Sequence, residues 1–160
     1  MSVSVPRLVV LVLAALCLLA PSPSLQAADR PAEVTPMDLF RIINGGRDRV
    51  VVVSFFATWC PPCLMEIPGL MELRRRHPES ALYLVGISFD SDSAVVEKFL
   101  QKNPLNYPVK MGTADVAQAF QAFGLPKLLV YGKGGVLALN HDGFLSEDDL
   151  RKVVDPLVAR

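Results

Sequence analysis

Metal ligands, net charge and long apolar stretches are all scarce in this chain of 160 residues. Its 16 basic residues are matched by 16 acidic ones and form no basic cluster, so nothing electrostatic points to nucleic acid as a partner. It has two histidines, His77 and His141, isolated from each other and from the cysteines. A structural zinc site ordinarily takes four Cys or His ligands, so the ligand count argues against one. No metal and no other cofactor is expected, and both histidines read as solvated surface residues. The longest apolar run, residues 8–20, spans 13 residues, short of the roughly 20 that cross a bilayer. No internal repeat or low-complexity tract interrupts the rest.

That apolar run follows a single cation, Arg7, and gives way to a Pro/Ser stretch closing on Leu25-Gln26-Ala27-Ala28. This is the layout of a secretory signal peptide, expected over residues 1–27 and implying a periplasmic or other extracytoplasmic location. An uncleaved segment acting as a membrane tether is the alternative. Cys17 lies inside the run, preceded by Leu16 where a lipidation signal expects a small residue, so it reads as an apolar residue of a discarded segment. Residues 28–34 read as a polar linker and residues 35–160 as one domain. Two of the three cysteines then remain, Cys60 and Cys63. Export would favour a structural disulfide, yet a loop this short removes little chain entropy and stabilises little. The pair suits chemistry better than stapling.

Hydrophobic periodicity places the pair. Thr35 and Pro36 start a helix, as an N-cap hydroxyl and a first-turn proline, which Asn44-Gly45-Gly46 ends. Residues 50–56 are a continuous apolar run, expected of a central strand buried on both faces. Pro62 opens a helix carrying Leu64, Ile67, Leu70, Met71 and Leu73, whose closing Arg74-Arg75-Arg76 complements the macrodipole. A second buried strand over residues 81–88 and a helix over 93–102 follow, and this alternation implies right-handed βαβ units. Further on, a short helix over residues 115–123 precedes a hairpin of 127–131 and 136–139 around Gly132-Lys133-Gly134-Gly135. Ser146 and Asp149 start the last helix.

Cys60 thus stands between a buried strand and a helix N-terminus, where free N–H groups favour the thiolate. Cys63, one turn on, faces back and is more sheltered. Cys60 is the expected attacking thiol and Cys63 the resolving one. Two alternatives remain open: a module holding Cu(I) between the two thiolates, with Met65 as the near candidate ligand, and peroxide reduction at Cys60, for which no local pocket signal is seen.

The segment Val51-Val52-Val53-Ser54-Phe55-Phe56-Ala57-Thr58-Trp59-Cys60-Pro61-Pro62-Cys63, together with Pro68, Gly124-Leu125-Pro126, Gly143 and Glu147-Asp148-Asp149, resembles the thioredoxin superfamily. Within it, the TlpA/ResA-like branch of bacterial exported reductases is the match, over nearly the whole chain from the first helix to the last. The resemblance implies an α/β thioredoxin-like fold, a central mixed β-sheet flanked by helices. It implies a cis peptide at Pro126, beside which an extended substrate segment can pair, with Leu125, Lys127 and Trp59 in the substrate-binding surface. Thioredoxins carry a buried Asp where this chain has Ser54, a poor base. TlpA/ResA-like proteins often have a Glu three residues after the second cysteine, and Glu66 occupies that place, so it is the expected proton acceptor for Cys63. Otherwise Glu66 is a solvent-facing helix residue. Lys127 stands where the family usually has Thr, and three readings stay open: stabilising a thiolate, steering acidic partners, or pointing to water. The implied partners are protein disulfide or dithiol substrates and a membrane thiol donor of the DsbD/CcdA type. Cytochrome c maturation is the implied pathway, and a monomer is expected.

Its place at a helix start makes Cys60 the more acidic thiol. Mild iodoacetamide labelling of the reduced protein, read by peptide mapping, should modify Cys60 first; preferential labelling of Cys63 would reverse the assignment.

Overall fold

The computed structural model describes residues 30–160; the leader and Cys17 lie outside them. Six strands form one mixed sheet: β1 (Glu33–Val34), β2 (Val50–Phe56), β3 (Leu82–Ser88), β4 (Val109–Gly112), β5 (Lys127–Tyr131) and β6 (Leu137–Asp142), in the spatial order β1-β4-β3-β2-β5-β6. The first four are mutually parallel, while β5 runs antiparallel to both β2 and β6. Five helices intervene: α1 (Pro36–Gly45), α2 (Pro61–Arg76), α3 (Ser93–Lys102), α4 (Ala114–Ala119) and α5 (Glu147–Val158). This is the thioredoxin-like α/β architecture.

β2 carries only apolar residues besides Ser54, and all seven of its positions are buried. Alternation along it divides the core. Val50, Val52 and Phe56 join a cluster with Cys60, Cys63, Leu70, Leu73, Val96, Leu150 and Val154, on the side of α2, α3 and α5. Val51, Val53 and Phe55 join a second cluster with Leu39, Ile43, Val116 and Phe120, on the side of α1 and α4. Each helix start is capped where a short oxygen-bearing side chain stands. Thr35 and Asp38 form a reciprocal capping box, and Ser146 accepts the Asp149 N–H at 3.2 Å. Such caps contribute about 1 kcal/mol each.

Several boundaries differ from the sequence reading. Residues 33–34, assigned to the linker, form β1 because their backbone pairs with Met111 and Gly112 at the sheet edge. β4 went unseen: it has four residues, and alternating burial leaves Lys110 half-exposed in its middle. α4 stops at Ala119, since Phe120 turns inward as its C-cap and Gln121 adopts φ 53°, ending the helical path. α2 begins one residue earlier than expected, at Pro61. His77 is not a freely solvated residue, because its ring Nε2 lies 2.8 Å from Asp155 Oδ1 and ties the end of α2 to α5.

Two glycines let elements approach closely. A Cβ at Gly69 would lie 3.3 Å from the Glu147 Cα, so its absence lets the start of α5 settle on α2. A Cβ at Gly112 would lie 2.5 Å from the Phe89 ring and 2.7 Å from Ile87 Cγ2. Ile87 is fully buried and cannot yield. Gly112→Ala should therefore destabilise the fold by about 1–3 kcal/mol, the range for an overpacked methyl. Urea denaturation checks this through a lowered midpoint with an unchanged m-value.

Candidate active site

The cysteine pair sits where β2 gives way to α2. Cys60 N–H donates to the Ala57 carbonyl at 3.2 Å, closing the turn that follows the strand. Cys60 is the N-cap of α2 in an extended conformation, φ −101° and ψ 100°, and its side chain does not cap the helix. Its sulfur is bonded to Cys63 in a disulfide. A helix start normally leaves several N–H groups free, but Pro61 and Pro62 have none; of the first three helical positions Cys63 alone keeps an N–H, and the Leu64 N–H makes the ordinary first helical bond to the Cys60 carbonyl at 3.1 Å. The Cys60 sulfur therefore meets a helix terminus depleted of its usual donors.

Both cysteines are nearly closed off, Cys60 at 4% and Cys63 at 2% exposure. What separates them is a groove of about 620 Å³. Cys60 lines it together with Trp59, Phe89, Thr113, Phe123 and Leu125, and Cys63 does not. Trp59 and Phe123 stand out on its rim, 67% and 78% exposed. Leu125 precedes the cis peptide bond to Pro126, so a residue of the groove wall leads directly into the proline that stands before β5. A second hollow of equal volume lies against α3 and β4, lined by Arg30, Glu97 and Lys110, and holds no cysteine.

Sequence reasoning passed over Asp90, another residue of the groove wall. It is 7% exposed, and three donors satisfy it. The Thr58 N–H reaches Oδ2 at 2.9 Å and the Thr58 hydroxyl reaches Oδ1 at 2.6 Å. The Ser88 hydroxyl completes the set at 2.7 Å. Asp90 thereby ties the end of β3 to the turn two residues before Cys60. The signal available in the sequence was a lone Asp after a buried strand, which singles out nothing without the register.

Glu66 is the main surprise. Its solvent-facing alternative is wrong: it is 1% exposed, because position 66 falls on the inward face of α2 that also carries Cys63, Ile67, Leu70 and Leu73. Its Oε1 accepts the Leu145 N–H at 3.0 Å. Its Oε2 is buried with no partner among the described residues. Burial disfavours the charged form, and the single backbone hydrogen bond only partly offsets it, so the carboxyl is pushed up to about 7. Tyr107, 7% exposed, is raised too, first by burial and then by the Glu66 charge.

Lys127 does not point to water either. It is 2% exposed, and its Nζ donates to Asp142 Oδ1 at 2.9 Å. Strand alternation puts it with Leu129 on the face opposite Cys60 and Cys63, across from Phe55. Among the described residues no group of three His, Cys, Asp or Glu side chains is placed to hold a metal ion, so a Cu(I) site here would rest on the two thiolates.

Comparison with known proteins agrees with this geometry. The family model described as AhpC/TSA family matches residues 20–139. Sporulation thiol-disulfide oxidoreductase A of Bacillus subtilis is 22% identical over 137 residues, covering 79% of this chain and 83% of that protein. Thiol-disulfide oxidoreductase ResA of Geobacillus kaustophilus is 24% identical over 112 residues, 69% of this chain and 64% of that one. The crystal structure of a thiol:disulfide interchange protein of the thioredoxin family from Chlorobium tepidum superposes with a TM-score of 0.65 at 25% identity, covering 83% of this chain and 99% of that one.

The buried carboxyl has a consequence for stability. The folded chain keeps the Glu66 proton up to about pH 7, whereas an unfolded chain releases it near the ordinary value of 4.5. Its contribution is therefore full below that lower value and is lost as pH rises through the window. Relative to Glu66→Gln, the oxidised wild type should lose on the order of 2–3 kcal/mol between pH 5 and pH 8. Chemical denaturation of both proteins at the two pH values checks this; parallel behaviour would mean that Glu66 titrates normally when folded.

Proposed function

Since the chain belongs to the AhpC/TSA family and is a ResA-like thiol–disulfide oxidoreductase of the thioredoxin superfamily, we propose that it works as a reductant of protein disulfides outside the cytoplasm. In this reading the Cys60 thiolate attacks one sulfur of a substrate disulfide docked in the groove beside Trp59, Leu125 and cis-Pro126, releasing the other sulfur as a thiolate. Glu66 takes the Cys63 proton. The Cys63 thiolate then attacks Cys60 Sγ, expels the second substrate sulfur and leaves the Cys60–Cys63 disulfide. Two electrons pass to the substrate, and a thiol donor must return them; the family resemblance suggests one of the DsbD/CcdA type in the membrane.

The observation that carries the direction is the environment of the sulfurs. A centre becomes a strong oxidant when its reduced, thiolate form is stabilised. Here Pro61 and Pro62 remove N–H donors from the helix start. On the inner side lies a buried carboxyl that, once ionised, raises thiol pKa values. Both features work against the thiolate and make the pair reducing. Export by residues 1–27, a monomeric state and a place in cytochrome c maturation belong to the same proposal, and they rest on the leader pattern and on resemblance.

The test is the midpoint potential of the pair against glutathione, together with trapping. A value below about −200 mV fits a reductant, and one near the roughly −120 mV of a strong oxidant overturns the direction. Cys63→Ser should accumulate mixed disulfides through Cys60. Glu66→Gln should slow their resolution by about 10- to 100-fold near neutral pH; an unchanged stopped-flow rate would remove Glu66 from the proton path.

A further inference from the structure

Lys127 is a buried cation that the thiol chemistry does not use. It opens β5 directly after cis-Pro126, and its register partner in β6 is Asp142. Beside that pair the Gly143 N–H donates to the Pro126 carbonyl at 2.8 Å. Two residues later the Leu145 N–H donates to Glu66 Oε1 at 3.0 Å. Residues 142–145 therefore form a strap that touches the cis-proline loop at one end and the buried carboxyl at the other. Gly143 bends the strap at φ 95°, and the close approach of Glu147 to Gly69 seats its far end on α2.

Along this strap the Lys127–Asp142 contact at 2.9 Å is the side-chain anchor. Its two ends differ. Lys127 is enclosed, while the Asp142 side chain is 70% exposed. An exposed carboxylate needs no buried counter-ion, whereas the enclosed ammonium needs a partner, because a charge left unpaired in the core is strongly destabilising. The pair also supplies position: an ammonium held in the core by packing defines where the Asp142 carboxylate, and hence the start of the strap, can lie.

We propose that Lys127 is a positioning residue which, through Asp142, holds the strap of residues 142–145 so that it supports the cis-Pro126 loop and delivers the Leu145 N–H to Glu66. Its bearing on turnover rests on the proposed function, since it assigns Lys127 to the same site from the face opposite the sulfurs. The hydrogen bond from Leu145 favours ionised Glu66, so releasing the strap should move the Glu66 titration to higher pH. The groups facing Glu66 are Tyr107, from the loop before β4, and Cys63, on its own helix; Glu147, at the start of α5, abuts Gly69. In the disulfide form Cys63 does not titrate, and Tyr107 stays protonated throughout the window.

The experiment is a carboxyl carbon-13 NMR titration of Glu66 in the oxidised protein, with the signal assigned by its loss in Glu66→Gln. Lys127→Met keeps an unbranched side chain in the core and leaves behind a carboxylate already in water, so it should fold. Asp142→Ala breaks the contact from the other side and leaves the ammonium unpaired, so it should also lower stability. Both should raise the Glu66 midpoint by about half to one pH unit, the scale of one weakened hydrogen bond to a charged group. Asp142→Glu should restore it. In turnover assays the same two variants should raise KM for a disulfide substrate several-fold, through the loosened cis-proline loop. A midpoint unmoved in both variants overturns the proposal whatever happens to stability, since filling space alone would not shift a carboxyl 61 residues or more away in sequence. If the wild type failed to reduce disulfides, the proposed function would fall, and the titration would still decide the role of Lys127.

Discussion

Burial of β2 on both faces constrains everything that reacts. Fully burying a Val or Phe side chain is worth about 1.5–3 kcal/mol, and six such residues stand in this strand. They divide by alternation between two separate clusters. Slipping the strand by one residue would exchange its two faces, moving Ser54 and both phenylalanines into the wrong clusters, and these three positions fix its register against β3 and β5. The end of β2 is then delivered to one place, beside the ends of β3 and β4 and the start of β5. Residues 57–60 can only emerge there. Asp90, Thr113 and Leu125 gather around Cys60 because the strands beside them are registered on β2, although they lie far apart in sequence.

Three ionisable side chains are buried around this point, and they are handled in different ways. Asp90 has three donors and serves as a fully satisfied clamp. Lys127 has one counter-ion, which opens to water. Glu66 has one donor for two oxygens. A buried polar atom without a partner costs about 1–3 kcal/mol, and protonating the carboxyl relieves part of that cost. The incomplete satisfaction of Glu66 therefore gives it a titration near neutrality. A second donor to Oε2 would strengthen the fold and pull the carboxyl back towards its ordinary range, where it would be a weaker base.

Much of this was legible in the sequence because the signals were local. The run of residues 50–56, the Thr35 and Ser146 caps and the Cys-x-x-Cys at a strand–helix junction each declare themselves within a few residues. β1 and β4 did not: two and four residues long, they exist through pairing with partners distant in the chain. The buried state of Glu66 was within reach, since it falls three residues after Cys63 and four before Leu70, on the same inward stripe; the habit of placing a helix Glu in solvent hid it. Asp90 and the Lys127–Asp142 pair were not within reach. Each is defined by a strand register, and a single sequence carries none.

Placing the acid on α2 also changes what controls it. Ser54 lies on the side of β2 that faces α2, between Val52 and Phe56, and is 2% exposed. A carboxylate there would be held by a strand buried at every position. Glu66 is instead held by a backbone N–H from the loop that enters α5, and that loop is tied in turn to the cis-proline segment. Its proton affinity therefore depends on a tertiary contact between a helix and a loop. In the mechanism we propose, a substrate that pairs with the cis-proline segment presses on the same connection. Under the proposed mechanism docking and proton acceptance share one mechanical element, an arrangement unavailable to an acid built into the central strand.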